Sequence, residues 1–180
     1  DTVMKAMMPY FQNVYGNPSS IYTLGREARE AYILAAHQTA KAIGAEDSEI
    51  YFTSGGSESD NWALKSGACH MAQHGKKHLI SSSFEHPAIL NTLKKLEQQG
   101  FSVTYIHPER DGIVRPENIQ AAIRPETGLI SIMYVNNETG MIQPIEKIGK
   151  LCRDRGILFH TDAVQAIGNV AVDVKKQYID

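Results

Sequence analysis

Cysteine is scarce in this chain. Cys69 and Cys152 are the only two, they lie far apart, and neither zinc-ligand nor redox spacing can be built from them. A chain without a disulfide framework is expected in a reducing compartment, the cytoplasm. No excess of either charge is present: 18 Lys and Arg against 20 Asp and Glu give a net charge of -2, which argues against nucleic acid and against a membrane surface as partners. Long apolar runs are missing too. The longest, Ala31 to Ala36, falls far short of the roughly 20 residues of a membrane-spanning helix. No signal-peptide pattern precedes the first predicted helix. No Gly-Lys-Ser/Thr follows a glycine turn at Walker-loop spacing, and repeats and low-complexity tracts are absent. What is present is 180 residues with 42% hydrophobic and 21% charged content, enough for one globular domain with its own core.

The most informative stretch is Tyr51-Phe52-Thr53-Ser54-Gly55-Gly56-Ser57-Glu58-Ser59-Asp60-Asn61. Glu49 to Thr53 is apolar and β-prone enough for a buried strand. Gly55 and Gly56 let the backbone turn sharply and approach a ligand. Ser57 is placed to cap the following helix, with Glu58 and Asp60 in its first turn. The free N–H groups at such a helix start form an anion site suited to phosphate. The same residues describe equally well a capped helix after a tight turn, with no ligand.

On either side of that stretch the pattern is regular. Residues 1–22 read as an N-terminal helix, Thr2 to Phe11, and a loop set by Gly16-Asn17-Pro18-Ser19-Ser20. Leu24 to Ile43 reads as a long helix ended by Gly44, with Ala28, Ala31, Ala35, Thr39 and Ala42 as a stripe of small residues. After the glycine turn a helix runs to about His74. Strands are expected at His78–Ser81, Phe101–Ile106, Gly128–Val135 and Ile157–Asp162, and helices at Pro87–Gln99, Arg115–Ile123 and Ile145–Arg155. This alternation gives an α/β fold with a mainly parallel sheet flanked by helices. In such folds ligands sit beyond the carboxyl ends of the strands.

The residues just past those ends are Ser54 to Ser57, Glu85-His86, Asn136-Asn137-Glu138, and Asp162 with Gln165. Together they offer an anion cradle, an imidazole, carboxamides and a carboxylate, a set that suits a phosphorylated aromatic cation. Each also has a plain structural explanation. His86 before Pro87 suits a helix start, Asn136-Asn137 a turn, and Asp162 a cap for the turn at Ala163, while Gln165 suits solvent. His70 and His74, four apart on a predicted helix beside Cys69, would make a surface metal pair only with a third ligand, and none is evident. No metal is expected.

Taken in order, these motifs are recognisable. The run Tyr51 to Asn61 resembles the phosphate turn of the cysteine desulfurases of the NifS/IscS type, within the class V aminotransferase family of fold-type I pyridoxal phosphate enzymes. Gly16-Asn-Pro-Ser-Ser20 with Gly25-Arg-Glu-Ala-Arg29, Glu85-His-Pro87, Val135-Asn-Asn-Glu-Thr-Gly140 and His160-Thr-Asp-Ala-Val-Gln165 resemble the same family, and the resemblance covers essentially the whole chain. It implies pyridoxal 5'-phosphate as cofactor, its phosphate held by the Gly56 N–H and Ser57. His86 would stack on the ring and be available for acid–base work. Asp162 would pair with the protonated ring nitrogen, Gln165 would donate to the ring's phenolic oxygen, and Asn137 would lie near that oxygen and the substrate carboxylate. The implied reaction converts L-cysteine to L-alanine, the sulfur passing to an enzyme cysteine as a persulfide. It then goes to an acceptor protein such as an iron–sulfur scaffold. A homodimer is implied as well.

Some family features have no match here. Ser57 stands where threonine is usual, keeping the hydroxyl, and Tyr22 where many members have histidine. The opening Asn-Ala-Ala-Thr strand is not found. Nor are the Ser-x-His-Lys segment with the Schiff-base lysine, the loop cysteine, the substrate-binding arginine and the small C-terminal domain. Cys69, Cys152, Lys65, Lys76 and Lys77 do not stand at matching positions. Residues 23–180 are therefore expected to be the first half of the cofactor-binding large domain. On this expectation the chain is a fragment, inactive in desulfuration by itself, with strand edges and apolar surface left for a partner or a second copy. Two other readings stay open: another class V activity such as selenocysteine lyase, and a non-catalytic half-domain.

Overall fold

The computed structural model describes every residue from Asp1 to Asp180. Its contacts divide the chain into two units, Asp1–Tyr51 and Phe52–Asp180.

The first unit is helical. α1 (Thr2–Gln12) buries none of its residues; Val3 and Phe11 are both 70% exposed. α2 (Thr23–Ile43) ends at Gly44, whose left-handed backbone (φ 72°) lets its N–H reach the Ala40 carbonyl. The buried stripe of α2 is Gly25, Ala36 and Ala40, so the expected small-residue face holds but is rotated at its C-terminal end, leaving Ala42 exposed. A short 3-10 turn, Asp47–Glu49, is closed by a capping box in which Glu46 N–H donates to Glu49 Oε2 at 2.8 Å. The strand expected at Glu49–Thr53 does not form. Ile50 has extended dihedrals (φ -94°, ψ 124°), but no neighbouring strand offers a ladder, and Tyr51 stays 66% exposed. β-propensity set the backbone region, and pairing was lacking to make it a strand.

The second unit carries the sheet. β1 (His78–Ser82), β2 (Ser102–Ile106), β3 (Thr127–Ser131) and β4 (Leu158–His160) lie in the order β2-β1-β3-β4, all parallel. Each crossover contains or adjoins a helix: α4 (Pro87–Gln98) between β1 and β2, α5 (Pro116–Ala122) between β2 and β3, and α6 (Ile145–Arg153) between β3 and β4. α3 (Gly56–Gln73) precedes β1. Side chains alternate across the sheet as a period of two demands. Leu79 and Leu129 pack with Leu64, Ile89, Leu93 and Leu96 of α3 and α4, while Ile80, Ile130 and Phe159 pack with Ile119, Ile145, Ile148 and Leu151 of α5 and α6. β1 and β3 are buried at every residue, the signature of a parallel sheet covered on both faces.

The strand expected over Gly128–Val135 stops at Ser131 because β4 is only three residues long. Beyond it the contact continues as single hydrogen bonds, Ile132 N–H to His160 O at 3.2 Å and Tyr134 N–H to Asp162 O at 2.8 Å. No helix is long and apolar enough to cross a membrane.

Candidate active site

The carboxyl ends of β1, β3 and β4 and the start of α3 enclose a cavity of about 250 Å³. Gly56, Ser57, His86, Asn137, Asp162 and Gln165 all line it, with Asp60, Met133, Val135 and Val164.

The start of α3 differs from the expected cap. Gly55, not Ser57, is the N-cap residue: its carbonyl accepts from Glu58 N–H at 3.1 Å and Ser59 N–H at 3.2 Å. Ser57 falls inside the first turn, so its hydroxyl is not spent on capping. The N–H groups of Gly56 and Ser57 precede the first intrahelical donors and are left free at the cavity. Glu58 is turned back. Its carboxylate accepts from Ser54 N–H at 2.7 Å and Ser54 Oγ at 2.6 Å, and these bonds hold it below the usual carboxylate range. Close approach at Gly56 is forced by a neighbour. A Cβ there would sit 2.8 Å from Val164 Cγ2. Gly56→Ala is expected to cost about 1–3 kcal/mol in chemical unfolding. Val164→Ala in the same chain should recover most of that loss; no recovery would mean the clash is not the cause.

His86 takes the helix-start position expected of it and also lines the cavity. Its Nδ1 accepts from Ala88 N–H at 3.1 Å, so it caps α4, while the ring lines the cavity. With Nδ1 accepting, the neutral ring carries its proton on Nε2. The two asparagines divide the work. Asn136 builds the turn, its Oδ1 accepting from Glu138 N–H at 3.1 Å and from Thr139 N–H and Oγ1 at 2.9 Å, while its Nδ2 donates to Phe84 O at 3.2 Å. That leaves Asn137 to the cavity. Asp162 Oδ1 accepts from Val164 N–H at 3.0 Å, the capping role, and Asp162 also lines the cavity. Gln165 is exposed at its rim.

Three groups in or behind the cavity carry no role assigned from the sequence. Asp60 is 5% exposed and lines the cavity, and burial with the nearby Asp162 charge pushes its carboxyl up to about 7. It lies one helical turn after Gly56, which puts both on one face, but in sequence it reads as an ordinary first-turn acid. His160 lies 3.7 Å from Asp60 Oδ1 through Nε2, and its Nδ1 is 2.9 Å from Ser131 Oγ. Burial lowers His160 to about 4, so between about pH 4 and 7 this contact joins two neutral groups and is not an ion pair. Glu85, 4% exposed, accepts at Oε1 from Ser82 Oγ at 2.5 Å and Met133 N–H at 2.9 Å, while its buried Oε2 has no partner.

Burial pushes Glu85 up to about 8, against an ordinary value of 4.5. The unfolded chain is ionised above that ordinary value while the folded chain keeps the proton, so this contribution to stability is full at low pH and is lost as pH rises through about 8. Wild-type stability is expected to decline between pH 7 and 8 by up to about 1.4 kcal/mol. Glu85→Gln should flatten that segment of the profile, measured by urea unfolding at each pH. A slope unchanged by the substitution would show that Glu85 ionises normally.

The two thiols lie elsewhere. Cys69 is exposed on α3, and Cys152 is buried, its thiol pushed up to about 12 by desolvation. His70 and His74 meet edge to face, ring centres 5.2 Å apart.

Residues 1–180 match a family model described as aminotransferase class-V. A curated relative, the cysteine desulfurase IscS of Methanosarcina thermophila, is 54% identical over 178 residues, which is 99% of this chain and 44% of the relative. One from Clostridium botulinum with the same name is 49% identical, over 99% of this chain and 45% of its own. A solved structure described as SspA in complex with cysteine superposes with a TM-score of 0.95 at 42% identity, covering 100% of this chain and 52% of that one. A NifS-like protein superposes at 0.94 and 36% identity, covering 100% and 50%. The chain thus spans less than half the length of these curated relatives.

Proposed function

The chain belongs to the aminotransferase class-V family, and from that premise we propose that its cavity holds pyridoxal 5'-phosphate and serves cysteine desulfuration, the conversion of L-cysteine to L-alanine with transfer of the sulfur. The observation that carries this reading is convergence. Six residues from four separate segments line one cavity, and their chemistry matches the parts of that cofactor in turn. The free N–H groups of Gly56 and Ser57, at the positive end of an 18-residue helix, suit a phosphate. The Asp162 carboxylate suits a cationic ring nitrogen. The His86 ring offers an aromatic face, and the carboxamides of Asn137 and Gln165 suit a phenolic oxygen and a substrate carboxylate.

When bound, that cofactor supplies an electron-withdrawing ring that eases loss of a proton from an amino acid's α-carbon. The chain's own residues would bind and orient it. Gly56 and Ser57 would anchor the phosphate, Asp162 would face the ring's positive charge, and His86 would lie against the ring plane with its Nε2–H as a hydrogen-bond donor. Buried Cys152 is not a sulfur nucleophile, since its thiol stays protonated at neutral pH and it lies away from the cavity. L-cysteine as substrate is supported by the names of the relatives and by the neighbour described in complex with cysteine.

The finer parts of the reading are a cytoplasmic homodimer and an acceptor protein such as an iron–sulfur scaffold. The exposed apolar side chains of the first unit, among them Val3, Phe11 and Ile21, offer a second copy a surface to cover. Light scattering is expected to give twice the 19.9 kDa chain mass; a monodisperse monomer would contradict the dimer.

The reading is tested by a chimaera in which residues 1–180 replace the matching 44% of the Methanosarcina thermophila relative. Cysteine-dependent alanine formation is expected, and its loss in the same chimaera carrying Asp162→Ala. A folded chimaera that takes up the cofactor yet forms no alanine would contradict desulfuration and favour another class V activity.

A further inference from the structure

The floor of the cavity holds a carboxyl that nothing in the chain satisfies. Asp60 is 5% exposed, it lines the cavity, and no backbone N–H or hydroxyl donates to its side chain. A buried carboxylate without donors is costly, and such a group keeps its proton instead. Four titratable groups surround it. Asp162 follows β4, His160 lies within β4, and Glu85 and His86 follow β1. His160 cannot supply the missing positive charge. Its Nε2 stands 3.7 Å away, beyond hydrogen-bond reach, and its burial keeps the ring neutral. Glu85 adds a third buried carboxyl to the same neighbourhood. The nearby Asp162 charge makes ionising Asp60 costlier still, on top of its burial.

Between Asp60 and Asp162 the choice of which ionises is asymmetric. Asp162 accepts a backbone hydrogen bond from Val164 and is partly open to solvent, whereas Asp60 has neither advantage. We propose that Asp60 is the proton-holding member of a carboxyl pair with Asp162, a positioning residue that leaves Asp162 as the anion facing a cationic ring. This rests on the pyridoxal phosphate reading for the identity of the ring, but the proton's location is a property of the chain itself. With the proton on Asp60, the cavity floor carries one negative charge before the ring arrives. An arriving cation favours ionisation of both carboxyls, so ring binding lowers the pH at which Asp60 gives its proton up.

The test is a carbon-13 titration of the aspartate side-chain carboxyls in the protein, assigned with Asp60→Asn and Asp162→Asn. The wild-type Asp60 signal is expected to titrate near pH 7. Its midpoint should fall in Asp162→Asn, where the neighbouring charge is gone, and should fall again when wild type is saturated with pyridoxamine 5'-phosphate, which needs no lysine anchor. A wild-type Asp60 midpoint below pH 5 overturns the proposal without recourse to any variant. A midpoint near 7 that pyridoxamine 5'-phosphate leaves untouched upholds the carboxyl pair and overturns the cofactor reading of the cavity. An unchanged Asp60 midpoint in a folded Asp162→Asn variant removes Asp162 as its partner and overturns the pair.

Discussion

Asp162→Ala is expected to weaken binding of pyridoxamine 5'-phosphate by about 30-fold or more, measured by isothermal titration. The ring nitrogen of this ligand is cationic when protonated, and Asp162 is the cavity-lining carboxylate proposed to face it. Truncating one partner of a desolvated charge pair costs about 2–5 kcal/mol, and 2 kcal/mol corresponds to roughly 30-fold in affinity. The alanine variant also loses the 3.0 Å hydrogen bond from Val164 N–H, a contribution of about 1 kcal/mol to the local fold. Asp162→Asn separates the two effects, since it keeps an acceptor for Val164 and removes only the charge. It should therefore be nearly as stable as wild type and nearly as poor a binder as the alanine variant. An asparagine variant that binds like wild type would mean that charge does not hold the ring.

Phe159→Ala is expected to destabilise the chain by about 3–5 kcal/mol. Phe159 is 1% exposed at the centre of β4, packed among Ile80, Ile130, Ile148 and Cys152 on the face covered by α5 and α6. Its backbone is held separately, its N–H donating to Asp180 Oδ2 at 2.9 Å and its carbonyl accepting from Asp180 N–H at 3.0 Å. These backbone bonds do not involve the ring, so the loss is one of packing. Domains of this size are stable by only about 5–15 kcal/mol, so the change in a urea midpoint would be large. A loss under about 1 kcal/mol would show that the core collapses to fill the space.

Most of the second unit was legible in the sequence because its signals are local. Pro87 and Gly100 bracket α4, a period-two run marks β2 and a strongly apolar run marks β3, and the alternation of elements yields a parallel sheet. The rule that ligands collect past strand ends names Ser54 to Ser57, Glu85-His86, Asn136 to Glu138, Asp162 and Gln165. The family resemblance narrows these to Gly56, Ser57, His86, Asn137, Asp162 and Gln165, and the fold brings those six to one cavity, while Ser54, Gly55, Glu85, Asn136 and Glu138 do not line it. What could not be read depends on contacts distant in sequence. The segment after Glu49 has strand character and no ladder, since pairing is a property of a neighbour and not of the segment. Ser57 looked like a cap because capping residues are identified by type, whereas the carbonyl that accepts the first bonds belongs to Gly55. Asp60 and His160 escaped, and Glu85 was placed at a strand end without a role, because their significance lies in burial. An aspartate in a first helical turn and a histidine in a strand say nothing of each other until the sheet puts them 3.7 Å apart.

Whether this cavity is a cofactor pocket is tested most directly by an amide proton–nitrogen map of the chain titrated with pyridoxamine 5'-phosphate. Saturable shifts are expected at Gly56, Ser57, His86 and Gln165, with the largest at Gly56 and Ser57, and the shifts of those two should shrink when unphosphorylated pyridoxamine is used. A map that stays unchanged at millimolar ligand, or that moves only on surfaces away from these residues, would contradict the claim.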